Sequence, residues 1–532
     1  TALVFKTNTS AAATERMRLS SDGHLKFKDN NKAVFGDGGD LEIYHDGSHT
    51  RIDEQGTGVL FLQTNGTNIQ LNKGTSENML VANVDGSVDL YYDNSKKLET
   101  TSSGVTVTGS LTSNGLASST SGTSNFVAGV NAGNSIQSGG NYNVIIGDEA
   151  GTSLTTGDDN VYIGYAAADS ATTGSGNIAI GENALGSLTA GSNNTAIGRD
   201  AMSLHNVDSN SNVALGFSAL KVNVAGCRNT ALGVNALAAQ NTSGTATNTD
   251  NVAVGTSAGK SITSGTLNTI VGSLAGDAFT EGGSNVSLGY FSLTADTKGS
   301  KSVAIGTAAL GDQNFTTATD AYNVAVGQEA GRFVSTGTLN TLIGGLAGDA
   351  LTTGFNNVAV GTSALSAEDT GRYNVAIGKG ALASQNGDYD NYNTAVGAEA
   401  GNSVTTATAN TLIGGVAGDA LTTGGSNVAI GYTALGADTK GFNSVAIGQN
   451  ALATQNFTTN TDAYNVAIGS LAGRYITTGY LNTLIGSLAG DALTTGTENT
   501  SVGYLSLSTD TAGNRSTAIG RGALATQNFS TS

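Results

Sequence analysis

Apolar and polar residues alternate in very short runs along this chain, and from Gly147 onward the runs settle into one repeated phrase, Asn-Val-Ala-Ile-Gly with small variations. The phrase glycine stands at 147, 164, 181, 198, 216, 233, 255, 272, 289, 306, 327, 344, 361, 378, 397, 414, 431, 448, 469, 486, 503 and 520, which makes 22 copies. Sixteen of the 21 intervals are 17 residues, one is 18, and the others are 22, 21, 19 and 21. A short fixed period means units that bury their faces against their neighbours. It predicts an elongated β-solenoid or β-roll of about 22 coils of 17 residues.

Aligned on the glycine, the copies form columns. Four residues before it stand 19 Asn and three Ser (Ser302, Ser444, Ser516), whose side chains can hydrogen-bond from coil to coil. Val, Ile or Thr stands three before it, and Ile, Val or Leu one before it. Residues two apart on a strand share a face, so a short strand is expected with these β-branched pairs pointing inward. Three after the glycine come 20 Ala and two Ser (Ser292, Ser506), a position with little room. The next position alternates in pairs: Gly259 and Gly276, Leu293 and Leu310, Gly331 and Gly348, Leu365 and Leu382.

A coil of this length has room for roughly two short strands and two turns. Its inward set, for example Val428, Ile430, Ala434 and Leu435, makes a thin core. The Ala and Gly/Leu columns read as a second contact surface suited to close approach of identical chains, and a parallel homotrimer is the expectation. With a strand spacing of ~4.8 Å the column is on the order of 100 Å long.

A higher period is superimposed. Longer intervals recur every four coils, and each follows a Gln-Asn pair: Gln240-Asn241, Gln313-Asn314, Gln385-Asn386 and Gln455-Asn456. The loops they open are expected to protrude about every 19 Å. The pair returns at Gln527-Asn528, so Ser532 reads as a cut end with at least one more coil expected beyond it.

Residues 1–109 follow a different pattern and read as a β-meander or interleaved-strand module. Short alternating runs, Leu25–Phe27, Leu41–Tyr44, Val59–Leu62, Asn68–Leu71, Met79–Val81, Val88–Tyr92 and Val105–Val107, are separated by turn pairs such as Asp22-Gly23, Asp46-Gly47, Asn65-Gly66 and Asp85-Gly86. Residues 110–124 read as a linker rich in Ser, Thr and Gly. The shaft then spans 125–532, opening with a degenerate coil at 125–142.

Composition narrows the class. Seventy-six Gly, no Pro, no Trp and 6% aromatics describe a turn-rich all-β chain without helical stripes. A net charge of −18 argues against nucleic acid as a partner. The single cysteine, Cys227, excludes an intrachain disulfide and a cysteine-based zinc site, and it falls where other copies carry small polar residues. No run approaches the ~20 apolar residues of a membrane-spanning helix, so no membrane insertion is expected. Thr1 carries neither an initiator Met nor a signal peptide, which suggests a piece of a longer polypeptide.

The segment Gly36–Gly47, followed by Asp89–Thr100 and Gly104–Gly109, resembles tail-fibre-like proteins of marine bacteriophages, cyanophages especially. The Asn-Val-Ala-Ile-Gly coils are similar to the β-roll head repeats of trimeric autotransporter adhesins, although the coil here is longer. The resemblance implies a homotrimeric virion fibre outside the cell, joined to other tail or fibre proteins and contacting a glycan or protein of the host surface. A bacterial trimeric adhesin head is the alternative. An ice-binding solenoid is a weaker one, since its Thr pairs, Thr352-Thr353, Thr422-Thr423 and Thr494-Thr495, come once in four coils.

Candidate chemistry is sparse. Asp277, Asp349, Asp419 and Asp491 recur identically every four coils, which suits turn formers better than the single carboxylate pair of a glycosidase. Gly36-Asp37-Gly38-Gly39-Asp40 reads as a hairpin turn rather than a calcium coil, and His45 and His49 as turn residues rather than ligands. No enzymatic activity, cofactor or metal is expected. The long loops are the expected interaction surface, with Phe315, Tyr322, Tyr389, Tyr392, Phe457 and Tyr464 in or beside them. The competing reading is that these rings cap their own loops against the rod.

Overall fold

The computed structural model describes residues 2–7, 13–109, 120–204, 209–242 and 246–530, which form strands and turns and no helix. Most of the expected linker, 110–119, lies outside the described residues. The chain divides into two compact units, Thr1–Gly115 and Leu116–Ser532.

In the second unit, 23 three-residue strands from Phe126–Ala128 to Thr517–Ile519 pair in chain order into one parallel sheet. The unit is a parallel β-solenoid, and Phe126–Ala128, the degenerate coil, pairs with Val144–Ile146. Register never slips. Ala359 lies opposite Leu342 on one side and Ala376 on the other, and Val360 opposite Ile343 and Ile377. Apart from three two-residue strands in the long loops and the three they pair with in the coils before, each coil holds one strand, not two; turns make up its other sides.

Two columns hold the turns in place. At the phrase glycine the backbone is left-handed, φ 131° at Gly361, and a Cβ there would stand 2.6 Å from the carbonyl carbon and oxygen of Gly378 on the next coil. Successive backbones touch at this corner, and no side chain fits between them. Four residues earlier, the buried Asn column forms a ladder that runs from coil to coil except where Ser stands. Asn357 Oδ1 accepts from the backbone N–H of Asn374 at 3.1 Å and from its Nδ2 at 3.2 Å, while Asn357 Nδ2 donates to the Gly371 carbonyl at 2.9 Å. One carboxamide per coil thus satisfies buried backbone groups that the three-residue strands cannot reach.

The strand faces are the reverse of the expectation. In Val428–Ile430 it is the central Ala429 that is fully buried, while Val428 and Ile430 point outward and are only half-buried. The interior is so narrow that Ala429, Ala434 and Leu435 fill it. The Ala and Leu columns are therefore the inside of one chain, not a surface offered to a second, and the packing argument that drew the trimer expectation to them does not hold.

The Gly/Leu alternation follows from volume. The position is left-handed whichever residue occupies it, φ 55° at Gly348 and 54° at Leu365. A large central strand residue requires Gly at the corner of its own coil and of the coil before it: a Cβ on Gly348 or Gly331 would come 2.7 Å and 2.5 Å from the methyls of Leu342. Where the strand residue is Ala359 or Ala376, Leu365 or Leu382 fills the space and accepts the strain of a left-handed leucine, about 1–3 kcal/mol.

The first unit consists of three antiparallel sheets: Leu3–Thr7 with Thr14–Leu19 and Leu25–Phe27; Ala33–Phe35 with Leu41–His45 and Thr50–Glu54; and a five-stranded meander from Asn68–Lys73 to Gly104–Val107. Asp46-Gly47 and Asp85-Gly86 turn hairpins as expected, with φ 94° at Gly47 and 54° at Asp85. Val59–Leu62 is not the expected strand, and all four side chains are exposed. Among the described residues of this unit Val81 is the one buried apolar side chain. Sheets with so little covered surface do not support themselves.

Gly361→Ala is expected to destabilise the shaft by on the order of 2–5 kcal/mol, combining left-handed strain with overpacking against Gly378. Asn357→Ala should cost about 1–3 kcal/mol through the orphaned N–H of Asn374 and carbonyl of Gly371. Amide exchange along the neighbouring coils, with an Ala359→Ser control, would read both.

Candidate functional site

The long loops rise from a buried polar clamp that the sequence reading did not identify. Seven residues after the phrase glycine the side chain points inward, and from Ile262 onward this position holds, over four coils, two apolar residues, then an acid, then Gln: Val404, Leu421, Asp438 and Gln455 in one group. Asp438 Oδ1 accepts from the backbone N–H of Gly441 at 3.0 Å and of Phe457 at 3.2 Å, and its Oδ2 accepts from Gln455 Nε2. Gln455 Nε2 also donates to Ser444 Oγ at 3.1 Å, and its Oε1 accepts from Asn465 Nδ2 at 2.8 Å. The clamp therefore joins the start of the loop, the coil below and the Asn ladder of the coil above.

The same clamp recurs at Asp296 with Gln313 and at Asp510 with Gln527. In the shorter loop Glu368 replaces the aspartate, and its longer side chain reaches Gln385 and Asn391, both at 3.0 Å. In the first loop a neutral Asn223 takes the place, closing on Gly226 at 2.8 Å. Burial pushes the carboxyls of Asp296, Glu368 and Asp438 above the usual range, and the N–H donors around each oppose the shift without cancelling it.

The six expected contact rings divide. Phe315 and Phe457, each 6% exposed, are drawn under their loops and cap them against the rod, so neither belongs to an outer surface. Tyr322, Tyr389, Tyr392 and Tyr464 are exposed, Tyr389 at 78%. Tyr322, Tyr392 and Tyr464 sit five residues before the phrase glycine, where the backbone is left-handed (φ 50°, 53° and 47°). Around Tyr392 the structure assembles a cluster not expected from the sequence. Tyr373 stacks on it with ring centroids 5.1 Å apart and 6° between planes, Phe355 meets Tyr373 edge-on at 5.8 Å, and the Arg372 guanidinium lies 4.7 Å over Phe355. Tyr322 is held by Lys301, whose Nζ donates to the phenol oxygen at 3.0 Å and to Asp320 at 2.6 Å.

The other candidates fall into structural places. Asp277 accepts a hydrogen bond from the Thr294 hydroxyl at 2.5 Å, while Asp349, Asp419 and Asp491 each keep one buried oxygen without a partner. They occupy one column, once in four coils, and do not come together as a pair. Gly36–Asp40 joins the strands Ala33–Phe35 and Leu41–His45 as a turn. His45 lies 3.1 Å from Asp29 and His49 3.7 Å from Asp46. Among the described residues no three His, Cys, Asp or Glu side chains are grouped to hold a metal ion, and no helix is long and apolar enough to cross a membrane. Cys227 is buried, its Sγ accepting from the backbone N–H of Asn210 at 3.3 Å, as Ser192 Oγ accepts from Ser175 at 3.1 Å two coils earlier.

No protein-family model, curated protein or solved structure matches the chain. What can be inferred of its role rests on its own surfaces.

Gln455→Ala is expected to leave Asp438 Oδ2 without its partner and Asn465 Nδ2 with the Gly479 carbonyl alone, cost about 1–3 kcal/mol and expose 456–464 to proteolysis while the coils on either side stay protected. The clamps should also carry a pH signature. Because burial raises the folded-state carboxyls, the loops hold protons more tightly than the unfolded chain does; the added protection is fully present below the ordinary carboxyl values, about pH 4, and is lost as pH rises through the raised ones. Amide exchange corrected for intrinsic rates should show this for the loops over Asp296, Glu368 and Asp438, and a flat profile for the loop over Asn223.

Proposed function

We propose that the chain is a structural and adhesive fibre of a phage virion, a rigid β rod that associates in parallel as a homotrimer, spaces a host-recognition part from the particle and presents attachment surfaces along its length. The observation that carries this reading is the outward face of the 23-stranded sheet. After the first strand, each coil contributes one Val, Ile or Thr and one Ile, Val or Leu to it, as at Thr341 and Ile343, Val375 and Ile377, Thr411 and Ile413, and these columns run half-exposed along the shaft. A continuous apolar stripe of that length is rarely left open to water in a soluble protein. A second copy in the same register would meet it residue for residue, and three copies close it into a dry axis.

The first unit supports the same reading. With Val81 its one buried apolar side chain among the described residues, and Leu3, Phe5, Phe35, Ile52 and Phe61 all exposed, it has the composition of a module completed by other copies. The four-coil loops then repeat on each chain of the assembly, an arrangement suited to many weak contacts on one scaffold. The ice-binding alternative loses ground, because the hydroxyls of Thr352, Thr422 and Thr494 are spent on carbonyls of the next coil, and that of Thr423 on Asn460.

Sedimentation equilibrium of the chain is expected to give three times its monomer mass at micromolar concentration. Replacing Ile343, Ile377 and Ile413 together by Arg should yield monomers that retain the coil, since these side chains do not enter the interior. A wild-type chain that sediments as a stable monomer would remove the fibre reading.

A further inference from the structure

The exposed column that carries Tyr322, Tyr392 and Tyr464 is interrupted at one place. One coil beyond Tyr322 stands Leu339, and one coil beyond Tyr464 stands Leu481. Beyond Tyr392 stand Ala409 and then Ser426. These positions share the left-handed backbone, with φ 60° at Leu339 and Ala409 and 58° at Leu481, so each side chain leaves its coil in the same direction. One face of the Tyr392 ring is covered by Tyr373. The other faces the small residues Ala409 and Thr408; on the following coil Ser426 is exposed, but Gly425 is buried beneath the Phe442 ring, whose edge lies 3.3 Å from where a Cβ on Gly425 would stand, two coils on from Tyr392. Two coils amount to about 10 Å of shaft, room for one saturated ring and its contacts on both sides.

We propose that this notch is a subsite for a neutral saccharide ring; the inference rests on the attachment reading above and gives it a ligand class. The face of an aromatic ring is electronegative, and the C–H bonds on one side of a pyranose carry the complementary partial charge. The rim and floor offer what the hydroxyls need: the hydroxyls of Thr408 and Ser426, and the carboxylate of Asp390, which accepts from the Tyr392 phenol at 3.2 Å. An apolar peptide side chain would strip water from those polar groups without replacing it. An anionic ligand would meet Asp388 and Asp390, and the nearby cation, Arg372, is already 3.6 Å from Asp390. The notch breaks the four-coil symmetry that governs the rest of the surface, as a specific site must.

The test is titration calorimetry of the full chain with cellohexaose, mannohexaose, galactohexaose and chitohexaose, with hexagalacturonate as the anionic control. At least one neutral hexasaccharide is expected to bind and the control not to. Tyr392→Ala and Ala409→Leu should each weaken binding tenfold or more, and Tyr464→Ala should leave it unchanged. Ala409→Leu keeps the fold intact, because Leu339 and Leu481 already occupy that backbone conformation, and an unaltered melting curve verifies it. Absence of binding by every neutral hexasaccharide, or binding that survives both substitutions, overturns the notch. If both variants still assemble as trimers and still adhere to marine cyanobacterial cells as the wild type does, the notch is overturned while the fibre reading stands.

Discussion

Everything in the shaft depends on how a coil with only three strand residues satisfies its remaining backbone at the corners. The Asn ladder answers this, because a carboxamide can accept from the N–H of the coil above and donate to a carbonyl 14 residues ahead, as Asn482 does toward Asn499 and Gly496. Aspartate could not donate, and serine is too short to span the gap. The three serines in the column show the rule. Ser302, Ser444 and Ser516 occur in the coils whose Gln reaches over from the clamp, and there the Gln side chain donates to the serine and, at Gln313 and Gln455, accepts from the next asparagine, carrying the ladder across the break. Where the clamp acid is Glu368 or its neutral counterpart Asn223, the column keeps Asn374 and Asn229.

Much of this was legible in the residues and some of it was misread for a physical reason. Period and register are written in the spacing of the glycines, since identical short units can stack only in register. Which face of a strand points inward is not written there: alternation distinguishes two faces without naming them, and β-branched residues are assigned to the core by habit. Here the core is too thin for valine. The clue lay in the middle position, whose size is matched to that of the corner residue, as in Leu342 with Gly348 and Ala359 with Leu365, a trade of volume that only a tight interior demands. The clamp was out of reach because Asp296, Glu368 and Asp438 look like surface acids until their neighbours are known, whereas the Tyr373–Tyr392 stack had a signal, since both stand five residues before the phrase glycines of adjacent coils.

Once the faces are assigned correctly, the energetic problem moves outward. A single coil buries a few alanine-sized groups and one or two larger ones, such as Leu342 with Leu351, which is little return for ordering 17 residues. Stacking recovers the rest by nearest-neighbour contacts, so the shaft is as strong as the sum of its interfaces and weakest at its ends. The outward Val and Ile columns are the largest apolar reserve left, and they lie flat and parallel to the axis, the geometry in which like chains pack best. The proposed trimer is thus a consequence of a core made too narrow to hold its own branched residues.

The four-coil period then has a cause beyond decoration. Large and small residues must alternate around a thin interior: Leu412 with Gly418 in one coil, Ala429 with Leu435 in the next, and the inward position seven residues after the glycine is free to be polar only where Leu435 or Leu452 supplies the bulk. That polar position is where Asp438 and Gln455 anchor a loop. Core volume therefore dictates where loops can be clamped, and the clamps dictate where aromatic side chains reach the surface. Along such a lattice every group of four coils presents the same face, so specificity for a ligand has to come from a local departure, and the change from leucine to Ala409 beside Tyr392 is a departure that leaves the interior untouched. A rod of this kind can vary what it recognises at its surface without altering the rules by which it stacks.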